Sequence, residues 1–195
     1  MLVSVITPTW NRHDLLLNRC IPSVEAQTYP DIEHIIVSDG PDPDVAAKIS
    51  KRLPTRPFHL EFTERDSGLG ELPRLRGLEL AQGELIAYLD DDNAYRPQHI
   101  ERLVNALGDR DFSYSQMLRH YTNGHSDILG ASEPLYGMID TSMILHRKEL
   151  LEKGTWRVDY PVYGAPDWDL IDRWLQAGAT WSFVEEITAD YYMKV

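Results

Sequence analysis

A second cysteine is missing from this chain of 195 residues. Cys20 stands alone, so no internal disulfide can form, and a cytoplasmic, reducing setting is the one expected. Long apolar runs are missing too. No window approaches the ~18 consecutive apolar residues that a membrane span requires. The opening Met1-Leu2-Val3-Ser4-Val5-Ile6-Thr7 carries no basic stretch, so it predicts a strand rather than a leader peptide. Positive charge is scarce: 19 Lys and Arg face 31 Asp and Glu, a formal net charge of −12. Such an average field repels nucleic acid and anionic membrane surfaces, and no long basic run reverses it. An acidic chain can still hold phosphates if a divalent cation sits between them and its carboxylates. His99, His120, His125 and His146 fall at no tight metal-ligand spacing and are expected as surface or packing residues. Repeats, low-complexity tracts and linkers are also absent, which predicts a single domain over 1–195.

What is present alternates. Val3 to Thr7 is a β-branched run that Thr7-Pro8-Thr9 should stop. Leu15, Leu16, Cys20 and Val24 recur at helical spacing from Asp14 to about Gln27, with Pro22 bending or interrupting that helix. Ile32 to Ser38 suits a strand buried on both faces and ends at the turn Asp39-Gly40-Pro41. A helix over Val45 to Arg52 and a strand over Phe58 to Phe62 follow, then a loop, Asp66-Ser67-Gly68-Leu69-Gly70. The next helix spans Glu71 to Ala81, with Gly83 expected to close it. Glu84 to Leu89 is a strand, and Pro97 should open a helix to about Leu107. This alternation predicts an α/β fold with a mostly parallel central sheet flanked by helices. Beyond residue 110 the pattern loosens. Strands are expected over Phe112 to Leu118, Met143 to His146 and Thr180 to Val184, with helices over Lys148 to Lys153 and Asp167 to Ala177.

Asp90-Asp91-Asp92 follows directly on Leu85-Ile86-Ala87-Tyr88-Leu89. Ligand sites in open α/β sheets lie at the carboxyl ends of strands. Adjacent carboxylates repel, and a bound Mg²⁺ or Mn²⁺ would relieve that cost. A solvated acidic turn is the alternative.

Four segments, in order, carry a resemblance. Gly83-Glu84 through Asp90-Asp91-Asp92 resembles the Gly-Glu, strand, Asp-x-Asp segment of glycosyltransferase family 2. Ser4 through Arg12 resembles its first strand and nucleotide loop, Leu17 through Pro30 its first helix and exit, and Ile35 through Gly40 its second strand. The likeness covers roughly the first 110 residues. It implies a GT-A (Rossmann-like) fold, with residues 1–110 binding a nucleotide-sugar donor and 111–195 the acceptor. It also implies a metal-dependent inverting enzyme of the hexosyltransferase class. UDP-sugar is the default donor, and the acceptor is a hydroxyl on a sugar, a lipid-linked molecule or a protein.

By resemblance, Thr7, Pro8, Thr9 and Arg12 line the nucleotide, and Asp39 contacts the base edge. A carboxylate accepts a hydrogen bond from a pyrimidine N–H, although an Asp-Gly turn also accounts for Asp39. Asp90 and Asp91 approach the ribose and sugar phosphate, and Asp92 is the main metal ligand. Pro73-Arg74-Leu75-Arg76-Gly77 aligns with the family's Ala-Arg-Asn-x-Gly, so Arg74 is a donor-binding candidate and Arg76 a solvated one. Asp167-Trp168-Asp169 resembles the Glu-Asp motif, with Pro166 in the glutamate's place. Helix phase separates its aspartates. Asp167 shares the face of Leu170, Ile171 and Trp174, and is the candidate general base. Asp169 lies with Arg173 and Gln176. Stabilising the helix dipole is the other reading of Asp167. Trp156, Tyr160, Tyr163 and Trp168 are candidate sugar platforms or core residues. No histidine follows the base within Ile187 to Val195, so another oxygen must complete a metal shell. Two rival functions use the same residue types: a nucleotidyltransferase, for which no glycine-rich, lysine-bearing loop follows the first strand, and a non-catalytic nucleotide-sugar or carbohydrate binder.

Overall fold

A computed structural model describes residues 1–52, 55–65, 68–159 and 165–193. Its core is built on β1 (Val3–Thr9), β2 (Ile32–Ser38), β3 (Phe58–Phe62) and β4 (Leu85–Tyr88). All pairings among these four are parallel, in the spatial order β3-β2-β1-β4. Every residue of β2 and β4 is buried, because helices cover both faces of a parallel sheet. α3 (Pro43–Arg52) links β2 to β3, α4 (Glu71–Leu80) packs against β1 and β2, and α5 (His99–Leu107) packs against the other half of the sheet. The chain moves outward from β1 through β2 to β3 and then returns to β1's other flank as β4. That reversal leaves a crevice at the carboxyl ends of β1, β2 and β4, the place where such sheets bind ligands.

The opposite half of the sheet is mixed. β4 pairs antiparallel with β8 (Ile144–Arg147), and β8 pairs antiparallel with β6 (Phe112–His120). β6 also pairs antiparallel with β7 (Ser126–Leu129) and parallel with β9 (Trp181–Tyr192), and the two-residue β5 (Ala94–Tyr95) closes the edge on β9. Among the described residues no helix is long and apolar enough to cross a membrane.

Several boundaries differ from the sequence expectations for physical reasons. β1 continues through Pro8 to Thr9, because its β4 partner ends at Ile6↔Tyr88 and leaves one flank open. Pro22 interrupts the first helical segment as expected: α1 (His13–Leu15) passes through a π-turn, Leu16–Cys20, into α2 (Ile21–Glu25). Gly83 does not take a left-handed helix-closing conformation. A Cβ there would lie 2.7 Å from the Leu2 carbonyl oxygen, so the glycine lets β1's backbone pass. β9 runs well beyond Val184. Its register against β6 jumps from Ser115↔Val184 to Gln116↔Ile187, so exposed Glu185 and Glu186 are an irregularity inside the strand.

Candidate functional site

A cleft of about 370 Å³ opens at the carboxyl ends of β1, β2 and β4. Pro8, Thr9, Arg12, Asp39, Arg74, Asp90 and Asp91 all line it. Asn11 adopts a left-handed conformation, φ 51°, as the chain leaves β1 for α1. Arg12, on the far side of that turn, reaches the aspartate triplet. Its Nη1 donates to Asp91 Oδ1 at 2.7 Å and to Asp92 Oδ2 at 2.8 Å. Thr9 Oγ1 donates to the other Asp91 oxygen at 2.8 Å. Arg74, buried on α4, donates through Nη2 to Asp90 Oδ1 at 2.6 Å and through Nη1 to the Leu69 carbonyl at 2.9 Å. Its guanidinium lies 4.9 Å from the ring of Trp156, and its buried Nε has no hydrogen-bond partner among the described residues. Repulsion within the triplet is thus met by two arginines. Asp91 still has its proton affinity pushed up to about 6, by burial first, with Arg12 and Thr9 opposing and its aspartate neighbours adding.

Asp39 extends β2 into the cleft, its backbone N–H donating to the Thr9 carbonyl at 2.9 Å. The Asp-Gly turn is real: Gly40 sits at φ 115°, and a Cβ there would meet Trp10 Cζ3 at 2.9 Å. The turn and the cleft position are therefore compatible. Arg65 Nη1 donates to Asp39 Oδ2, and its guanidinium covers the Trp10 ring at 4.2 Å.

Asp167 lies in the first turn of α6 (Pro166–Gln176), half-buried, its Oδ1 accepting from the Trp168 N–H at 2.8 Å. Burial raises its proton affinity and Asp90 adds to this, while Arg74 opposes. Asp140, absent from the sequence expectations, caps a short 3₁₀ turn, Thr141–Met143, and accepts from Ser142 N–H at 2.8 Å. Its proton affinity is also raised, by burial and then by Asp90 and Asp167. Asp90, Asp140, Asp167 and Arg74 thus share one electrostatic neighbourhood. Asp140 gets there because β8 runs antiparallel beside β4, a pairing that no local pattern announces.

Other candidates lie elsewhere. Thr7 is fully buried, its Oγ1 on His34 Nε2 at 2.9 Å, so its side chain serves the core and not the cleft. Asp92 lines a second cleft of about 400 Å³ with Arg19, His120 and Tyr192, and Arg19 Nη1 donates to its carbonyl at 2.6 Å. Arg76 pairs outward with Glu79 at 2.6 Å. Asp169 pairs with Arg173 at 2.8 Å, whereas Gln176 bonds Asp172 and not Asp169. Trp156 is core, and half-buried Trp168 meets Tyr136 edge-on. Tyr160 and Tyr163, and Asp66-Ser67 of the loop before α4, lie outside the described residues. His99 and His146 pack in the core, where burial lowers their pKa to about 3 and about 4. Among the described residues no three His, Cys, Asp or Glu side chains gather to hold a metal by themselves. A cation at Asp92 fits only if donor phosphates supply further oxygens, the usual arrangement for Mg²⁺.

The comparisons with known proteins agree on one family. The model described as "Glycosyl transferase family 2" matches residues 4–161. The uncharacterized glycosyltransferase MJ1057 of Methanocaldococcus jannaschii is 28% identical over 135 residues, covering 68% of this chain and 47% of that protein. Staphylococcus (S. aureus) TarS 1–349 superposes with a TM-score of 0.80 at 17% identity, over 98% of this chain and 60% of that one. Its complex with UDP-GlcNAc scores 0.74 at 17% identity, over 100% and 59%. Mannosyltransferase PcManGT from Pyrobaculum calidifontis, in complex with GDP-Man and Mn²⁺, scores 0.74 at 19% identity, over 96% and 56%. These structural likenesses establish the fold, a mixed α/β GT-A architecture with a curled central sheet. The chain spans less than half the length of the curated relatives it matches.

Proposed function

Because the chain belongs to glycosyltransferase family 2, we propose that it moves a sugar, with inversion, from a nucleoside diphosphate donor to an acceptor hydroxyl. One observation carries this reading: Asp39, Arg74, Asp90 and Asp91, from three separate elements, line a single cleft at the sheet's reversal point. Asp39 accepts an N–H from the base edge, which suits uracil or guanine. TarS complexes with UDP and UDP-GlcNAc, and PcManGT with GDP-Man, are in keeping with either base. Pro8, Thr9 and Arg12 bound the nucleotide, and Arg74 meets the phosphates with charge-assisted hydrogen bonds. Asp90 and Asp91 face the ribose and sugar phosphate. Asp92, which lines the second cleft and reaches the first through the Arg12 that it shares with Asp91, would together with donor phosphate oxygens hold Mg²⁺ or Mn²⁺, whose charge would favour departure of the diphosphate.

Asp167 takes the acceptor proton as the hydroxyl attacks. Its raised proton affinity suits that task, since a base works best with a pKa nearer the working pH. No covalent intermediate is needed, so the anomeric configuration inverts. Residues 1–110 hold the donor and residues 111–195 the acceptor. Incubation with UDP- and GDP-sugars plus Mn²⁺, scored by release of the nucleoside diphosphate, tests the reading. Release from one donor class supports it. Binding without release favours a non-catalytic binder, and release of sugar 1-phosphate instead points to nucleotidyl transfer.

A further inference from the structure

Arg65 has no part in the roles above, yet it occupies the base end of the cleft. Its guanidinium carbon lies over Trp10, 4.2 Å from the ring centroid. The same group donates through Nη1 to Asp39 Oδ2 and, at 3.4 Å, to the Asp39 carbonyl. Gly40, left-handed at φ 115°, keeps this corner free of a side chain: a Cβ there would lie 2.9 Å from Trp10 Cζ3 and 3.3 Å from Arg65 Cβ. A planar cation stacked on an aromatic ring while donating to a carboxylate satisfies two demands at once. A base bound to Asp39 and stacked on Trp10 would meet the same two demands in the same place. A base cannot take that face of Trp10 and that oxygen of Asp39 while the guanidinium holds them.

Resting on the donor reading above, we propose that Arg65 is a resident stand-in for the donor's base and that the donor binds by displacing it. The Asp39 side chain is largely buried and the Arg65 side chain is 40% exposed, so the guanidinium can swing into solvent while the carboxylate stays. The cost of displacement is subtracted from the affinity of every base that enters, which makes Arg65 a threshold. A base that stacks but offers Asp39 no N–H does not recover what the guanidinium loses. If Arg65 only anchored its loop, removing it would loosen the cleft and weaken binding, the opposite sign.

Neutral nucleosides make the clean probe, since their affinity is insensitive to the positive charge that the substitution removes. Uridine and guanosine should be titrated by ligand-observed NMR into wild type, Arg65→Ala and Arg65→Gln, with UDP and GDP run in parallel on wild type. The expected result is nucleoside binding about threefold to tenfold tighter in both variants. Equal or weaker nucleoside binding in the variants, with UDP or GDP bound by wild type, overturns the stand-in and leaves the donor reading intact. If no nucleoside binds any of the three proteins and neither UDP nor GDP binds wild type, both fall.

Discussion

The two halves of the sheet bring carboxylates to one neighbourhood in different company. On the parallel half, Arg74 pairs with Asp90 and Arg12 with Asp91 and Asp92, while Arg65 pairs with Asp39. On the mixed half, Asp140 and Asp167 accept only local backbone N–H groups among their described hydrogen bonds, and burial raises the proton affinity of both. Under the proposed function the contrast separates two kinds of work. A carboxylate matched by an arginine helps shape a receptor whose cations can turn to phosphates. A carboxylate raised by burial and like charge is suited to taking a proton near neutral pH. Asp91 stands between the two, raised by burial in spite of Arg12.

The most severe test of that division is Asp167→Asn, which keeps the size of the side chain and removes its basicity. Transfer should fall by about 10²–10⁴, while nucleotide affinity stays near wild type by calorimetry. In wild type the rate should climb as pH rises through the raised Asp167 pKa, because only the ionised carboxylate accepts a proton. That limb should vanish in the variant. Asp169→Asn is its control. Asp169 is paired with Arg173, so this change should barely alter transfer, and the reverse ranking would make Asp169 the base.

Smaller effects sharpen the other half. A Cβ on Gly77 would lie 2.5 Å from Ile6 Cγ2, in the contact between α4 and β1. Gly77→Ala should therefore cost about 1–3 kcal/mol in chemical denaturation, through overpacking alone. Asp39→Asn should weaken nucleotide binding by about tenfold, the size of a lost charge-assisted hydrogen bond, with little change in stability.

The same two halves differ in how far they could be read from sequence. Ile32–Ser38 is legible because a strand buried on both faces is a continuous apolar run, and its observed bounds match those expected. The aspartates at the end of β4 are legible because sheet geometry tells where strand ends go, whereas Asp39 at the end of β2 is legible only through the family resemblance, its local pattern being that of an ordinary Asp-Gly turn. β7 is largely exposed, and β9 carries Glu185 and Glu186 at its irregularity, so neither shows a clean period. Thr7 belongs to the same motif as Thr9, but only the structure separates the residue facing His34 from the one facing Asp91. Asp140 and Arg65 carry no usable sequence signal, since each acquires its place through a tertiary neighbour, β4 and Asp39 respectively, and Trp10, although inside the segment that resembles the nucleotide loop, is marked out only by its contact with Arg65.

Hydrogen–deuterium exchange with and without UDP or GDP and Mn²⁺ tests most directly whether the donor occupies the parallel half. Protection should concentrate at 8–12, 39–40, 68–74 and 90–92, and leave β6 and β7 unchanged. Protection confined to β6, β7 and α6, with none at Asp39 or Arg74, would contradict the assignment of the cleft.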